Sequence, residues 1–469
     1  MKVDTTNPLY KKYEKDWKLI ADLIAGERAI KAAGEIYLPK LSGQTESDYA
    51  KYVQRGCLFN AMARTLQGMV GAVVRTNAVI EAPPQLQPVL EDATVFQQTI
   101  QEVIRDTVDN ILSYGFLGIL IDMPTNTTLT PALPYLALYK GVDILNWQRV
   151  KIGDDEVLSM VVLSELRYKI DPQDPYIMMQ EKIIRVCFID VDGWYKQRVF
   201  IRNTADPKNE DWIQEGEDII PTKVGIPFKE IPFVFFNSLG IYPAPTKPPL
   251  LDVANLNIKH WQVSTDYYHG LHYCAIPTPW AAGFRVDGDL YIGSQKAWVS
   301  DDPNAKCGYL EFTGTGLAAI EKALTKLETL MAVMGARLLE EQKAGVESAE
   351  AIRLRISGDS VTLSTVAQVT EEGIVQVLDF VCLWMGISGK VKVSINRDFV
   401  SQRLSSSDIT ALLGAVQAGK ISMDTFLYNL RVGEILPPDR TIEDEKDMIA
   451  SEAPDLSIVD PNTNPGFRF

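Results

Sequence analysis

The stretch GLAAIEKALTKLETLMAVMGARLLEEQ, residues 316–342, sets the architecture. Leu317, Ile320, Leu324, Leu327, Met331, Met334 and Leu338 recur at alternating spacings of three and four, which is the seam of a coiled-coil-like helix. At 1.5 Å per residue such a helix is a rod about 40 Å long. Its apolar stripe is narrow, so it must pack on another helix.

A partner lies upstream. Residues from about 250 to 274 read as a second long helix, and its end, HWQVSTDYYHGLHYC (260–274), holds all three histidines of the chain. Three histidines on one helix invite a metal reading, and helical geometry argues against it. At 100° per residue His269 lies about 180° from His260, and His272 about 120° from it. His260 instead shares a face with Val253, Leu256, Val263, Tyr267 and Leu271, the packed side of the helix. His269 and His272, three apart, leave a metal-dependent hydrolase as the alternative reading, although two ligands without an acidic third make a poor zinc site. Between the two rods, residues 277–314 carry short strands, glycines and polar turns.

The rods are embedded in a mixed α+β, predominantly helical chain. Helical pattern covers about 8–33, 45–75 and 94–114, with Ser47-Asp48 as the start of the second segment and no asparagine cap. VLSMVVLSELRY (157–168) and KIIRVCFI (182–189) are strands, and Asp192-Gly193 before WYKQRVFI marks a two-residue hairpin. An antiparallel sheet is therefore expected over roughly 135–238, closed by the proline-rich hinge IPFVFFNSLGIYPAPTKPPL (231–250). After the second rod, Gly345 in KAGVES (343–348) breaks the helix, which resumes to about 385 with a division near SGDS (357–360). A strand VKVSIN (391–396), two short helices and an acidic helix follow, and DLSIVDPNTNPGFRF has the composition of a flexible or partner-ordered tail.

Bulk composition narrows the function. The formal net charge of -15 argues against gripping nucleic acid through its phosphates, yet it suits a surface past which a duplex slides. Cys57, Cys187, Cys274, Cys307 and Cys382 are scattered and form no C-x-x-C, so they read as reduced, mostly buried thiols made in a cytoplasm. No apolar leader opens the chain, and the longest apolar run, FLGILI (116–121), is too short to span a bilayer, which implies a soluble protein.

Catalytic motifs find no support. GAVQAGKI (414–421) nearly spells a phosphate loop, but Ile421 stands where the magnesium-binding hydroxyl belongs and the stretch follows a helix. Gly419 reads as a helix cap and Ser422 as the start of the next helix. G-x-S-x-G, H-E-x-x-H and G-x-G-x-x-G are absent. No catalytic, cofactor or metal residues are assigned.

With these elements in order, the sequence resembles the portal proteins of tailed bacteriophages, the head-to-tail connectors, and most closely the portal group first catalogued as a domain of unknown function. The likeness rests on YLPKLSGQTESDYAKYVQRGCLFNAMARTLQGMVGAVVR (37–75), on IPFVFFNSLG with PPLLDVANLNIKHWQVSTDYYHGL (248–271), and on ESAEAIRLRISGDSVTLSTVAQVTEEGIVQVLDFVCLWMG (347–386). It covers roughly residues 8–450 and depends on order rather than on one motif; the alternatives are the metal-dependent hydrolase using His269 and His272, or another virion structural or scaffold protein.

The resemblance implies a ring, usually of twelve copies, with a wing (1–238), a hinge and first stem helix (239–276), a clip (277–315) and a second stem helix (316–342). A tunnel loop and kinked long helix (343–390), a wing return or short crown (391–450) and a tail (451–469) complete it. It further implies that double-stranded DNA passes through the ring without sequence specificity, and that the ring sits at a capsid vertex of the virion, after assembly in the host cytoplasm. Expected partners are the major capsid protein, the terminase and later adaptor or tail proteins, with no membrane. Lys343, Gly345, Glu347 and Ser348 would form the tunnel loop. Trp298, Asp301, Asp302, Lys306 and Tyr309 would meet partners on the clip, and His260 with the seam residues would pack the stem.

Overall fold

The computed structural model describes residues 2–124, 133–171, 174–203, 211–223, 226–275, 278–284, 298–310, 314–335, 349–397, 399, 406–432, 435–436, 440 and 442–452. The chain divides into two compact units, Met1–Arg397 and Asp398–Phe469. Helix and strand are mixed, with helix predominating.

The first unit opens with α1 (Pro8–Ala25), α2 (Glu27–Ala33), α3 (Glu46–Arg55) and α4 (Ala61–Val73). The segments 8–33 and 45–75, each expected to be one helix, are each two, because interruptions of the helix at Gly26 and at 56–60 re-aim the backbone. Asparagine caps are present after all. The Asn7 side chain accepts from the Leu9 N–H ahead of Pro8, and Asn60 accepts from the Ala63 N–H. Thr45, two residues before the expected Ser47, caps α3. Trp17 of α1 is fully buried and donates its indole N–H to the Tyr114 carbonyl at 2.8 Å.

After β1 (Val79–Glu81) and α5 (Gln87–Glu91), helix α6 runs from Ile100 to Tyr114. It begins six residues later than the periodicity implies. Residues 93–98 form a tight turn instead, with Gln97 at φ 60° and the Ala93 N–H bonded to the Gln98 carbonyl. Thr99 and Glu102 then close a reciprocal capping box that fixes the helix start.

Strands β2 (Phe116–Asp122), β3 (Tyr135–Lys140), β4 (Ile144–Ile152), β5 (Asp155–Ile170), β6 (Met178–Ile189), β7 (Tyr195–Arg202) and β8 (Trp212–Ile219) follow, then the short pair β9 (Thr222–Lys223) and β10 (Ile226–Pro227), and β11 (Phe233–Asn237). They form an antiparallel sheet in the order β11-β2-β3 and a five-stranded antiparallel meander from β4 to β8. The run FLGILI is the middle of the first sheet and is buried at every position, which explains why it is apolar without alternation. Asp192-Gly193 does mark the β6–β7 turn. It lies in a three-residue loop, however, with Asp190 N–H bonded to the Trp194 carbonyl and Gly193 at φ 77°, rather than in a two-residue turn.

A buried polar network joins the two sheets. Arg185 on β6 forks onto Glu165 of β5 at 2.6 and 3.2 Å and donates to Gln197 of β7 at 2.7 Å. The Tyr139 hydroxyl of β3 donates to Glu165, and Gln197 donates to Asp122 of β2. Burial raises the Asp122 carboxyl above its ordinary range, against the pull of Arg185.

Beyond α7 (Leu251–Ala275), β12 (Thr278–Ala282), β13 (Lys306–Leu310) and α8 (Leu317–Met334), the unit closes with α9 (Ala349–Met385) and β14 (Lys392–Ser394). Helix α9 is continuous, so the division expected at SGDS (357–360) does not occur. Its second half buries Leu363, Val366, Ala367, Ile374, Val377, Leu378 and Val381 against α6 and the β11-β2-β3 sheet. β14 pairs with β1, tying this late segment to the start of the chain.

The second unit holds α10 (Ser406–Gln417), α11 (Met423–Val432) and α12 (Ile442–Glu452). Gly419 ends α10 at φ 64°, with the Lys420 N–H on the Ala415 carbonyl, and Ser422 Oγ accepts from the Thr425 N–H. The near phosphate loop is thus a helix end and a helix cap, as its residues suggest. Among the cysteines only Cys187 and Cys382 are buried; Cys57 and Cys307 are exposed, which corrects the expectation of mostly buried thiols.

Candidate functional site

Helices α7 and α8 form an antiparallel pair whose register can be followed along its length. Val253 lies against Gly335, His260 against Glu328, Gly270 against Leu317, and Cys274 against Gly314. Each advance along α7 meets a nearly equal retreat along α8, the geometry of a helical hairpin.

Helix α7 is anchored in the body by polar side chains. Asn257 accepts from the Met62 N–H at 2.9 Å and donates to the Phe59 carbonyl at 2.8 Å. Ser264 donates to the Cys57 carbonyl and Gln262 to the Tyr37 carbonyl. The buried face is therefore Val253, Ala254, Asn257, His260, Trp261, Ser264 and Thr265. The apolar face expected from periodicity is only partly right: Val253 and His260 are buried, whereas Leu256, Val263 and Tyr267 are half-buried and Leu271 is exposed. Polar groups that cap α4 and satisfy the loop preceding it outweigh hydrophobicity here.

Among the described residues, helix α8 is supported on one side. Leu317, Ile320, Leu324 and Leu327 are half-buried toward α7, and Met331 is 1% exposed. Helix α8 spans Leu317–Met334, with Gly335 as its cap, and residues 336–342 of the expected extent lie outside the described residues. A Cβ at Gly335 would lie 2.7 Å from Thr65 Cγ2 of α4, so this close approach locks the base of α8 to the body. Met334, expected in the seam, is 44% exposed, and Leu338 lies outside the described residues. Around the seam Tyr268, Leu271, Tyr273, Leu330 and Val333 present apolar surface to solvent.

The three histidines occupy three environments. His260 is 4% exposed, with Nε2 at 3.2 Å from Glu328 Oε1 and its ring beside Phe59. His269 places Nδ1 3.4 Å from Arg55 Nη1 and stands edge-on to Tyr52 and Tyr273. Burial, and then the Arg55 charge, holds its imidazole below the ordinary value. His272 touches only the Tyr273 ring among the aromatic contacts. A cation faces His269 Nδ1, which leaves Nε2 as the nitrogen it could offer to a metal. Among the described residues no group of three or more His, Cys, Asp or Glu could hold a metal ion.

The module between the rods is a two-stranded sheet, β12 with β13, pairing Thr278 with Leu310 through Ala282 with Lys306. Trp298 is half-buried against Phe284. Asp301, Lys306 and Tyr309 are exposed, while Asp302 caps a turn by accepting from the Asn304 N–H at 2.8 Å. Trp280, which periodicity did not single out, lies across Gly308 and remains 43% exposed. Lys343, Gly345, Glu347 and Ser348 lie outside the described residues.

A family model described as Domain of unknown function (DUF4055) matches residues 249–385, from α7 into α9. No curated protein matches the chain. Similar solved structures include a chain of the virion of a native gene transfer agent (GTA) particle, 11% identical, covering 88% of this chain and 99% of that one at a TM-score of 0.39. Chains from the neck of an empty GTA particle computed with C6 symmetry (11% identity, 85% and 95% coverage, TM-score 0.41) and from the neck of a native particle computed with C12 symmetry (12%, 85% and 98%, TM-score 0.40) are also similar. Among the described residues no helix is long and apolar enough to cross a membrane.

Proposed function

We propose that this chain is a non-enzymatic, ring-forming structural protein of the portal class. In this reading copies assemble around a channel at one capsid vertex, where double-stranded DNA enters during packaging and leaves during ejection. The module β12–β13 would serve as the docking surface for the terminase and then for adaptor or tail proteins.

The observation that carries this reading is the α7–α8 hairpin. Its seam is satisfied within one chain, yet Tyr268, Leu271, Tyr273, Leu330, Val333 and Met334 leave its flanks apolar and exposed. A rod with one supported side and apolar flanks is completed by neighbours of its own kind, and rotation of such heterologous contacts closes a ring. The acidic balance supports passage of DNA without strong retention.

Negative-stain imaging of the purified protein, with labelling of particles, tests the reading. Rings in solution or at a single vertex are expected. Uniform monomers at high concentration, together with label spread over the shell or absent from particles, would overturn it.

A further inference from the structure

Helix α3 meets the C-terminal half of α7 through a compact polar cluster. The Tyr52 hydroxyl donates to Asp266, and Arg55 Nη1 lies 3.4 Å from His269 Nδ1. The His269 ring stands edge-on to Tyr52, with centroids 5.0 Å apart, and to Tyr273 at 4.8 Å. The two helices approach closely just beyond, where Gly56 faces Thr265 and Trp261 with no room for a side chain. Contacts this tight transmit a small change at the cluster to the whole helix contact.

Arginine stays charged at any ordinary pH, so it donates to His269 Nδ1 only while the imidazole is neutral. A protonated ring carries a hydrogen on Nδ1 and a positive charge facing another. The groups around His269 are Tyr52 and Arg55 from α3, and Asp266, His272 and Tyr273 from α7 itself. Of these, Asp266 alone favours the imidazolium, and it is exposed and already accepts from Tyr52. His272, on the same side of the helix, acts in the same direction as Arg55 on the His269 imidazole.

We propose that Arg55 and His269 form a proton-sensitive brace between α3 and the C-terminal half of α7, closed while the imidazole is neutral and opened by its protonation. The brace belongs to a single chain and does not depend on ring assembly. Its sign follows from the environment: the fold holds His269 below its ordinary value. Its stabilisation is therefore complete above the unfolded value near 6.5 and is lost as pH falls through the lower folded value. Opening would release the end of the helical hairpin nearest β12 from the body while Gly335 and Asn257 still hold its base.

Hydrogen exchange of the full-length protein at about pH 7.5 and about pH 5, corrected for the chemical exchange rate, tests the brace. Peptides covering 46–55 are expected to lose protection by about two- to fivefold in acid, with α6 as an unchanging reference. His269→Gln, which keeps an acceptor and cannot charge, is expected to abolish the pH dependence, and His272→Gln to retain most of it. Arg55→Gln, which removes the opposing charge from the other side, is also expected to abolish it. A wild type without the loss overturns the proposal. So does an unchanged pH dependence in His269→Gln or, where that variant does not fold, in Arg55→Gln.

Discussion

His260 Nε2 lies 3.2 Å from Glu328 Oε1, across the interface of α7 and α8. One partner is buried and the other half-exposed, and among the described residues His260 Nδ1 has no hydrogen-bond partner. Glu328→Ala therefore leaves a buried imidazole with neither nitrogen bonded. A loss of about 1–2 kcal/mol is expected, moderated by water reaching the exposed side. The midpoint of urea unfolding at neutral pH measures it, and Glu328→Gln, which preserves an acceptor, should recover most of the loss.

Met331 and Met334 lie one turn apart on α8 and differ in burial, 1% against 44% exposed. Truncating Met331 to Ala empties packed space and is expected to cost about 2–4 kcal/mol of stability. Truncating Met334 should leave unfolding of the single chain nearly unchanged. If the exposed flank is an interface, Met334→Ala will instead shift the concentration at which higher assemblies form, as read by sedimentation velocity.

Gly335 fits because it has no side chain. An added methyl would lie 2.7 Å from Thr65 Cγ2 and 3.4 Å from Val253 Cγ2. Gly335→Ala is expected to destabilise by about 1–3 kcal/mol through overpacking. Pairing it with Thr65→Ser removes the clashing methyl, and thermal unfolding of the double variant should show partial recovery.

Arg185 is the hub of the network between the two sheets. Arg185→Met leaves the half-buried Glu165 without its cation, and breaking the pair from one side is expected to cost about 1–3 kcal/mol, less than for a fully buried pair. Replacing both partners together, Arg185→Met with Glu165→Leu, is expected to cost much less. A double-mutant cycle by chemical denaturation separates the pair from its surroundings.

Much of the helical hairpin was legible because its causes are local. The spacing from Leu317 to Met331 and the length of the 250–274 helix are properties of consecutive residues, and both segments are helical. Two errors share one origin. The start of α6 was displaced by a turn that hydrogen-bonds to itself, and the division of α9 at SGDS was erased in a helix whose second half is buried on a sheet. FLGILI carried no alternation because both of its faces are covered, a fact that depends on α6, α9 and the neighbouring sheet.

The sequence by itself determined the helices, the antiparallel strands, the narrow seam and the separation of His260 from the other two histidines, because each follows from the period of a single element. Tertiary structure alone decided which face of α7 is buried, since Asn257, Ser264 and Gln262 satisfy backbone groups of segments some 200 residues away. It also brought Arg55 to His269 and Glu165 to Arg185. Such pairings are set by packing between distant elements, and no spacing along the chain encodes them.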